Sequence, residues 1–141
     1  MSTRAYIITT NKEKTVYTYN YIHYDGYIYR GVGEDLLFDY NHPILANKLT
    51  SIGDRSSIDS NEAYKDSKTT IHHSKSLELI LKDGTKGGFC IEYFYFFDPD
   101  TSAWQVACNE TDFVFVDLET FYTTHLKAEL ARLKELNKKR F

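Results

Sequence analysis

The sequence predicts an α+β domain: an antiparallel sheet of about five or six strands, covered by two short helices and a long carboxyl-terminal helix. Three observations carry this. Segments rich in tyrosine and β-branched residues recur along the chain, divided by short polar loops and by Asp-Gly or Asp-Pro turns. Between residues 32 and 50 the apolar positions switch to helical spacing, and from Asp117 onward leucines and aromatics recur on one side of a single long segment. At 141 residues the chain has the length of one domain, spanning 1–141, which buries roughly two thirds of the surface its unfolded form exposes and needs no disulfide or metal to fold.

Ala5 to Thr10 and Thr15 to Ile22 read as an opening hairpin across the polar loop Asn11-Lys12-Glu13-Lys14. In its second strand Val16, Thr18, Asn20 and Ile22 point one way, and Tyr17, Tyr19, Tyr21 and His23 the other. Asp25-Gly26 then turns the chain. Val32, Leu36, Leu37 and Tyr40 predict a first helix with Glu34 and Asp35 in its opening turn, and Pro43 starts a second helix carrying Ile44, Leu45 and Leu49. Residues 59–75 are polar and read as an exposed loop. Ser76 to Leu81 is expected to be a strand and Lys82-Asp83-Gly84-Thr85 a turn. Phe89 to Phe97 is the most strand-like segment, with Tyr93, Tyr95 and Phe97 on one face and Phe94 and Phe96 on the other. Helices must cover one of those faces, and the second is expected to meet a partner or stay ring-lined. Asp98-Pro99-Asp100-Thr101 returns the chain into Ala103 to Cys108, and Phe113 to Val116 reads as a last strand. Asp117 caps a helix over 117–139, in which Leu118, Phe121, Tyr122, His125, Leu126, Leu130, Leu133 and Leu136 share a side. Lys134, Lys138, Lys139 and Arg140 gather at its far end, where each positive charge gains about 0.3–1 kcal/mol from the helix dipole.

The chemistry-bearing groups concentrate at the first sheet-to-helix corner, from His23 through Tyr24, Asp25 and Tyr27 to Arg30. His23 and Asp25 are the candidates for acid–base work, because an imidazole titrates near neutrality and a carboxylate can orient it. Structural roles come first, with His23 hydrogen-bonded at the strand end and Asp25 fixing the turn; ligand contact and catalysis are the alternatives. Arg30 offers a planar fork of donors for phosphate or carboxylate. Trp104 is expected to extend the aromatic surface, on which a nucleobase can stack, although core or dimer packing is the preferred account. Gly31-Val32-Gly33 lacks both the dinucleotide spacing and the Walker lysine, and reads as loop flexibility. His72-His73 has no third ligand at useful spacing, so no metal or other cofactor is expected, and Ser56-Ser57 lacks a nucleophile-elbow context. His125 reads as a packed, hydrogen-bonded histidine. Cys90 and Cys108 are expected to be reduced thiols packed as small apolar groups. A net charge of −3 argues against sequence-independent nucleic-acid binding, and the amino terminus has no run apolar enough for a signal peptide or membrane span.

In combination these segments resemble a group of small, mostly uncharacterised bacteriophage and prophage proteins. The matching residues are Met1-Ser2-Thr3-Arg4, His23-Tyr24-Asp25-Gly26-Tyr27, Gly33-Glu34-Asp35-Leu36-Leu37-Phe38-Asp39-Tyr40, Gly53-Asp54-Arg55-Ser56-Ser57, Glu92-Tyr93-Phe94-Tyr95-Phe96-Phe97 and Trp104-Gln105-Val106. They cover residues 1–58 and about 92–106 in the group's order. The chain departs from the pattern at Ile22, where the group has cysteine, at Ile28, where it has proline, and by one extra residue between Tyr27 and Gly33. The resemblance implies a phage or mobile-element origin and action in the host bacterial cytoplasm; it supplies no reaction. The resulting expectation is a non-enzymatic phage accessory protein that binds and modulates a host macromolecule, with a host protein as the expected partner, in host takeover or counter-defence. A homodimer through the carboxyl helix or an exposed sheet face is an accompanying expectation. The alternatives are a sponge for a nucleotide-type molecule and a His23/Asp25-dependent enzyme acting on a phosphodiester or nucleotide.

Overall fold

The computed structural model describes residues 3–60, 71–86 and 90–140. Strands β1 (Ala5–Thr10) and β2 (Tyr17–Ile22) form the expected hairpin, with Ala5 opposite Ile22 and Thr10 opposite Tyr17. Thr15 and Val16 belong to the loop, because their amides donate to Asn11 Oδ1 at 2.9 and 3.1 Å; this side-chain turn delays the strand. Helices α1 (Val32–Asp39) and α2 (Pro43–Thr50) follow, the second capped by His42, whose Nδ1 accepts from the Ile44 amide at 3.1 Å. Then come β3 (His72–Ser74), α3 (Leu77–Thr85), β4 (Tyr93–Asp98), β5 (Ala103–Cys108), β6 (Val116–Asp117) and α4 (Leu118–Arg140).

The six strands lie in the order β3-β2-β1-β4-β5-β6. Neighbours are antiparallel except at the centre, where β1 and β4 run parallel with Ala5 beside Tyr93 and Ile8 beside Phe96. The sheet is therefore mixed, not wholly antiparallel. The continuous burial of Ala5 to Ile8 fits an interior strand covered on both faces. On one face Ile7, Ile22, Tyr95, Phe97, Trp104 and Val106 pack under α1, α2 and the first turns of α4. On the other, Tyr6, Ile8, Tyr17, Phe94 and Phe96 pack against Ile80 of α3 and against Phe113 and Phe115. Beyond half-buried Tyr93 at its start, neither face of β4 is left ring-lined: Phe94, Tyr95, Phe96 and Phe97 are all buried.

Other expectations need correction. Ser76 to Leu81 is not a strand. The Ser76 hydroxyl accepts from the Leu79 amide at 3.2 Å, which starts α3, and the helical face brings Ile80 and Gly84 onto Phe94 and its neighbours. Burying Ile80 contributes about 1.5–3 kcal/mol, more than a strand propensity difference of about 1 kcal/mol. Lys82 to Thr85 is accordingly the end of that helix. Within 59–75, residues 72–74 form β3 on the edge of the sheet, while 61–70 lie outside the described residues, as do Gly87 to Phe89. Only Val116 of the Phe113–Val116 run is in a strand, because Asp112 and Phe113 adopt left-handed backbone angles. Asp117 does cap α4, its carboxylate accepting from the Thr120 amide and hydroxyl at 2.9 and 2.8 Å. Along α4, Leu118 is buried and Phe121 and Tyr122 are half-buried, but Leu130, Leu133 and Leu136 are exposed, so the apolar side outlasts the body it packs on. Cys108 is buried as expected, whereas Cys90 is exposed.

Candidate functional site

The corner leaving β2 is tied down through its backbone. The amides of His23 and Tyr24 donate to Arg55 O and Ser56 O at 3.2 and 2.8 Å, and Gly26 N donates to Thr3 O at 2.8 Å. Val32 N reaches back to Asp25 O at 2.8 Å, and the buried Tyr95 hydroxyl donates to Gly26 O at 2.6 Å. Gly31 permits this close folding: a Cβ there would fall 2.5 Å from Asp25 O and nearer still to Tyr27 O. The glycines around Val32 thus serve close backbone approach rather than flexibility. Asp25 (φ 60°) and Arg30 (φ 58°) both hold left-handed angles, a conformation that costs side-chain-bearing residues free energy and concentrates at binding surfaces.

This frame presents its side chains outward. Tyr24, Tyr27 and Tyr29 are 49%, 37% and 43% exposed, and Asp25 and Arg30 are exposed too. His23 is half-buried; its Nδ1 lies 2.6 Å from the Tyr21 hydroxyl, and its ring sits edge-on to Tyr24. Asp25 Oδ1 accepts from the Tyr27 hydroxyl at 2.8 Å, which raises the phenol's pKa. The acid–base reading coupled His23 to Asp25, but each has a tyrosine hydroxyl as partner, and the strand has already turned at Asp25. Trp104 is not at the corner. It is 1% exposed in the core and donates to Tyr40 O at 3.0 Å, so the expected extension of the surface by its ring does not occur.

Other rings take that place. Tyr29 stacks on Tyr122 of α4 (centroids 6.3 Å apart), and Phe38 of α1, 67% exposed, meets Tyr122 edge-on at 5.9 Å. The Arg30 guanidinium carbon lies 5.6 Å over the Tyr29 ring. Carboxylates surround these rings: Asp35 has its pKa raised by burial first, then by Asp59, Asp39, Glu34 and Asp25. Tyr122 is likewise raised by burial and by Glu34. Beside this surface opens a cleft of about 360 Å³ between the corner and α4, lined by Tyr27, Tyr29, Tyr93, Tyr122, Glu110 and Glu129, with Ile28 and His125 completing it. Burial, followed by the charge of Glu110, pushes the Tyr93 pKa up to about 12. His125 is half exposed, with its ring packed on Phe121 (centroids 4.1 Å apart) and its Nδ1 3.0 Å from Phe121 O, as expected, and its Nε2 lies 3.5 Å from Glu110. Tyr122, Glu110 and Glu129 carry no local sequence signal for this role, since the corner they join lies about ninety residues upstream.

The Gly53 to Ser57 segment has a supporting part. Asp54 accepts from the Tyr21 amide at 2.8 Å through Oδ1 and pairs with His72 Nε2 at 2.6 Å through Oδ2, fastening β3 to β2 and raising the imidazole's pKa. His73 instead approaches the Thr18 hydroxyl at 3.2 Å. Among the described residues no three His, Cys, Asp or Glu side chains are grouped to hold a metal ion, and no helix is long and apolar enough to cross a membrane. Compared with known protein families, curated proteins and solved structures, the chain matches none.

Proposed function

We propose that the chain is a non-enzymatic phage accessory protein that binds and modulates a host protein in the host bacterial cytoplasm, using the corner and the adjoining face of α1 as its contact surface. One observation carries the binding role: exposed Tyr29 and Phe38 meet on half-buried Tyr122, so that three separate parts of the chain form a connected ring surface with carboxylates beside it. Aromatic residues dominate protein contacts because they bury large apolar area at low conformational cost. The phage origin rests on the motif combination, not on this geometry. A nucleotide sponge has less support, since Phe94, Tyr95, Phe96 and Phe97 of β4 are buried and carboxylates lie beside the open ring surface.

Tagged protein added to host lysate is expected to retain a stoichiometric host protein. The Phe38→Glu variant is expected to lose that protein while keeping its thermal midpoint, because Phe38 is mostly exposed. Equal recovery by both proteins, or no stoichiometric partner for the unaltered chain, counts against the proposal.

A further inference from the structure

The cleft beside the ring surface has a more specific chemistry than the surface itself. Its walls combine four tyrosines with two glutamates and His125, and no lysine or arginine lines it among the described residues. A tyrosine face carries negative quadrupole charge and attracts a cation held within about 6 Å of its centre. Arg30 already shows this next door, its guanidinium lying over Tyr29.

Among the described residues the two glutamates have exposed, exchangeable partners. Glu110 is 3.5 Å from His125, both about half exposed, and Glu129 bonds Arg132 one turn along its own helix. Exposed pairs of this kind add little to stability, so an incoming cation displaces them at small cost. A phosphate or carboxylate ligand would meet Glu110 and Glu129, whose cationic neighbours, His125 and Arg132, are already paired with them. Among cations a guanidinium fits best: it is planar, stacks on rings, is weakly hydrated and takes a carboxylate in bidentate fashion.

We propose that the cleft receives an arginine side chain of the partner protein, stacked against the tyrosines and paired with Glu110 or Glu129. This rests on the protein-binding reading above, because Tyr27, Tyr29 and Tyr122 belong both to the cleft and to the corner surface through which a partner is bound. Burial is the first cause of the raised Tyr93 and Tyr122 pKa values, and the charges of Glu110 on Tyr93 and of Glu34 on Tyr122 add to it in the same direction.

The test uses the full isotope-labelled chain titrated with a short neutral peptide bearing one central arginine. The comparison probes are the same peptide with citrulline, spermidine as a free polyamine, and inorganic phosphate. Saturable shifts confined to the cleft residues are expected with the arginine peptide, and binding about tenfold weaker with citrulline, which keeps the shape but loses the charge. Glu110→Gln and Tyr122→Ala are each expected to weaken the arginine peptide about tenfold. Glu110 is exposed, so its variant keeps the fold even where loss of the Tyr122 ring loosens α4. Equal binding of the citrulline peptide, stronger binding of phosphate, or spermidine binding with no response to arginine overturns the inference. A failed titration alongside host capture that Phe38→Glu abolishes removes only the arginine assignment; peptide binding without any host partner removes the broader reading.

Discussion

Arg55 shows how an unpromising residue can hold a site together. Its side chain is fully buried; Nη1 donates to Asn20 Oδ1 at 3.1 Å and to Gly53 O at 2.8 Å, while Nε and Nη2 have no hydrogen-bond partner among the described residues. Burial lowers its pKa, as expected for a guanidinium without a bonded carboxylate. Arg55→Ala is expected to cost about 2–5 kcal/mol in urea unfolding, because it opens a cavity and orphans two acceptors. Arg55→Met fills the volume and removes the buried charge, so its cost is expected to be about 1–2 kcal/mol smaller. Equal losses would mean that the stem of Arg55 contributes no packing.

His72 gives a pH signature. Asp54 raises its folded pKa, against burial, above an unfolded value of about 6.5. The pair's stabilisation is therefore fully present below about pH 6.5 and is lost as the pH rises through the folded pKa. The stability gap between the unaltered chain and His72→Ala is expected to narrow from pH 6 to pH 8, and a gap independent of pH would refute the pairing. The corner's residues were legible in the sequence because they are contiguous and turn at Asp25-Gly26. Asp54 and Arg55 were visible only as motif letters, since their partners Tyr21, Asn20 and His72 lie in other elements.

At the scale of elements, α3 is where local pattern and tertiary packing part. Leu77, Leu79 and Leu81 alternate as a strand would, but Leu77, Ile80, Leu81 and Gly84 also mark one helical face, and the second set is the one that meets Phe94 and its neighbours. Leu79 is left outside. The alternation was misleading because both periods fit so short a run, and only the waiting aromatic surface decides between them. Gly84 measures the closeness of that packing: a Cβ would lie 2.6 Å from the Cε2 and Cζ of buried Phe94. Gly84→Ala ordinarily gains about 1 kcal/mol in a helix. Here the clash, at about 1–3 kcal/mol for overpacking, is expected to equal or exceed that gain and leave the variant no more stable. A thermal midpoint above that of the unaltered chain would show that Phe94 yields.

Across the whole molecule, the opening hairpin could be read because its pairing is local, whereas the parallel β1–β4 pair joins residues nearly ninety positions apart and has no adjacent turn to announce it. That pair makes the sheet shared ground for both apolar clusters, one on each face. Charge is divided differently. Residues 126–141 hold six Lys or Arg and two Asp or Glu, a net of +4, which leaves −7 on residues 1–125. The basic stretch begins where α4 runs beyond the body, and its side chains from Leu133 to Lys138 are all exposed. They therefore add little to the folded core, and a chain ending at Arg132 retains Leu118, Phe121, Tyr122 and the Glu129–Arg132 pair. Its unfolding free energy, followed by the fluorescence of buried Trp104, is expected to stay within about 0.5 kcal/mol of the full chain while helical circular dichroism falls. A loss of several kcal/mol would show that the distal helix is packed against something in solution, most directly a second copy of the chain, and the midpoint would then rise with protein concentration.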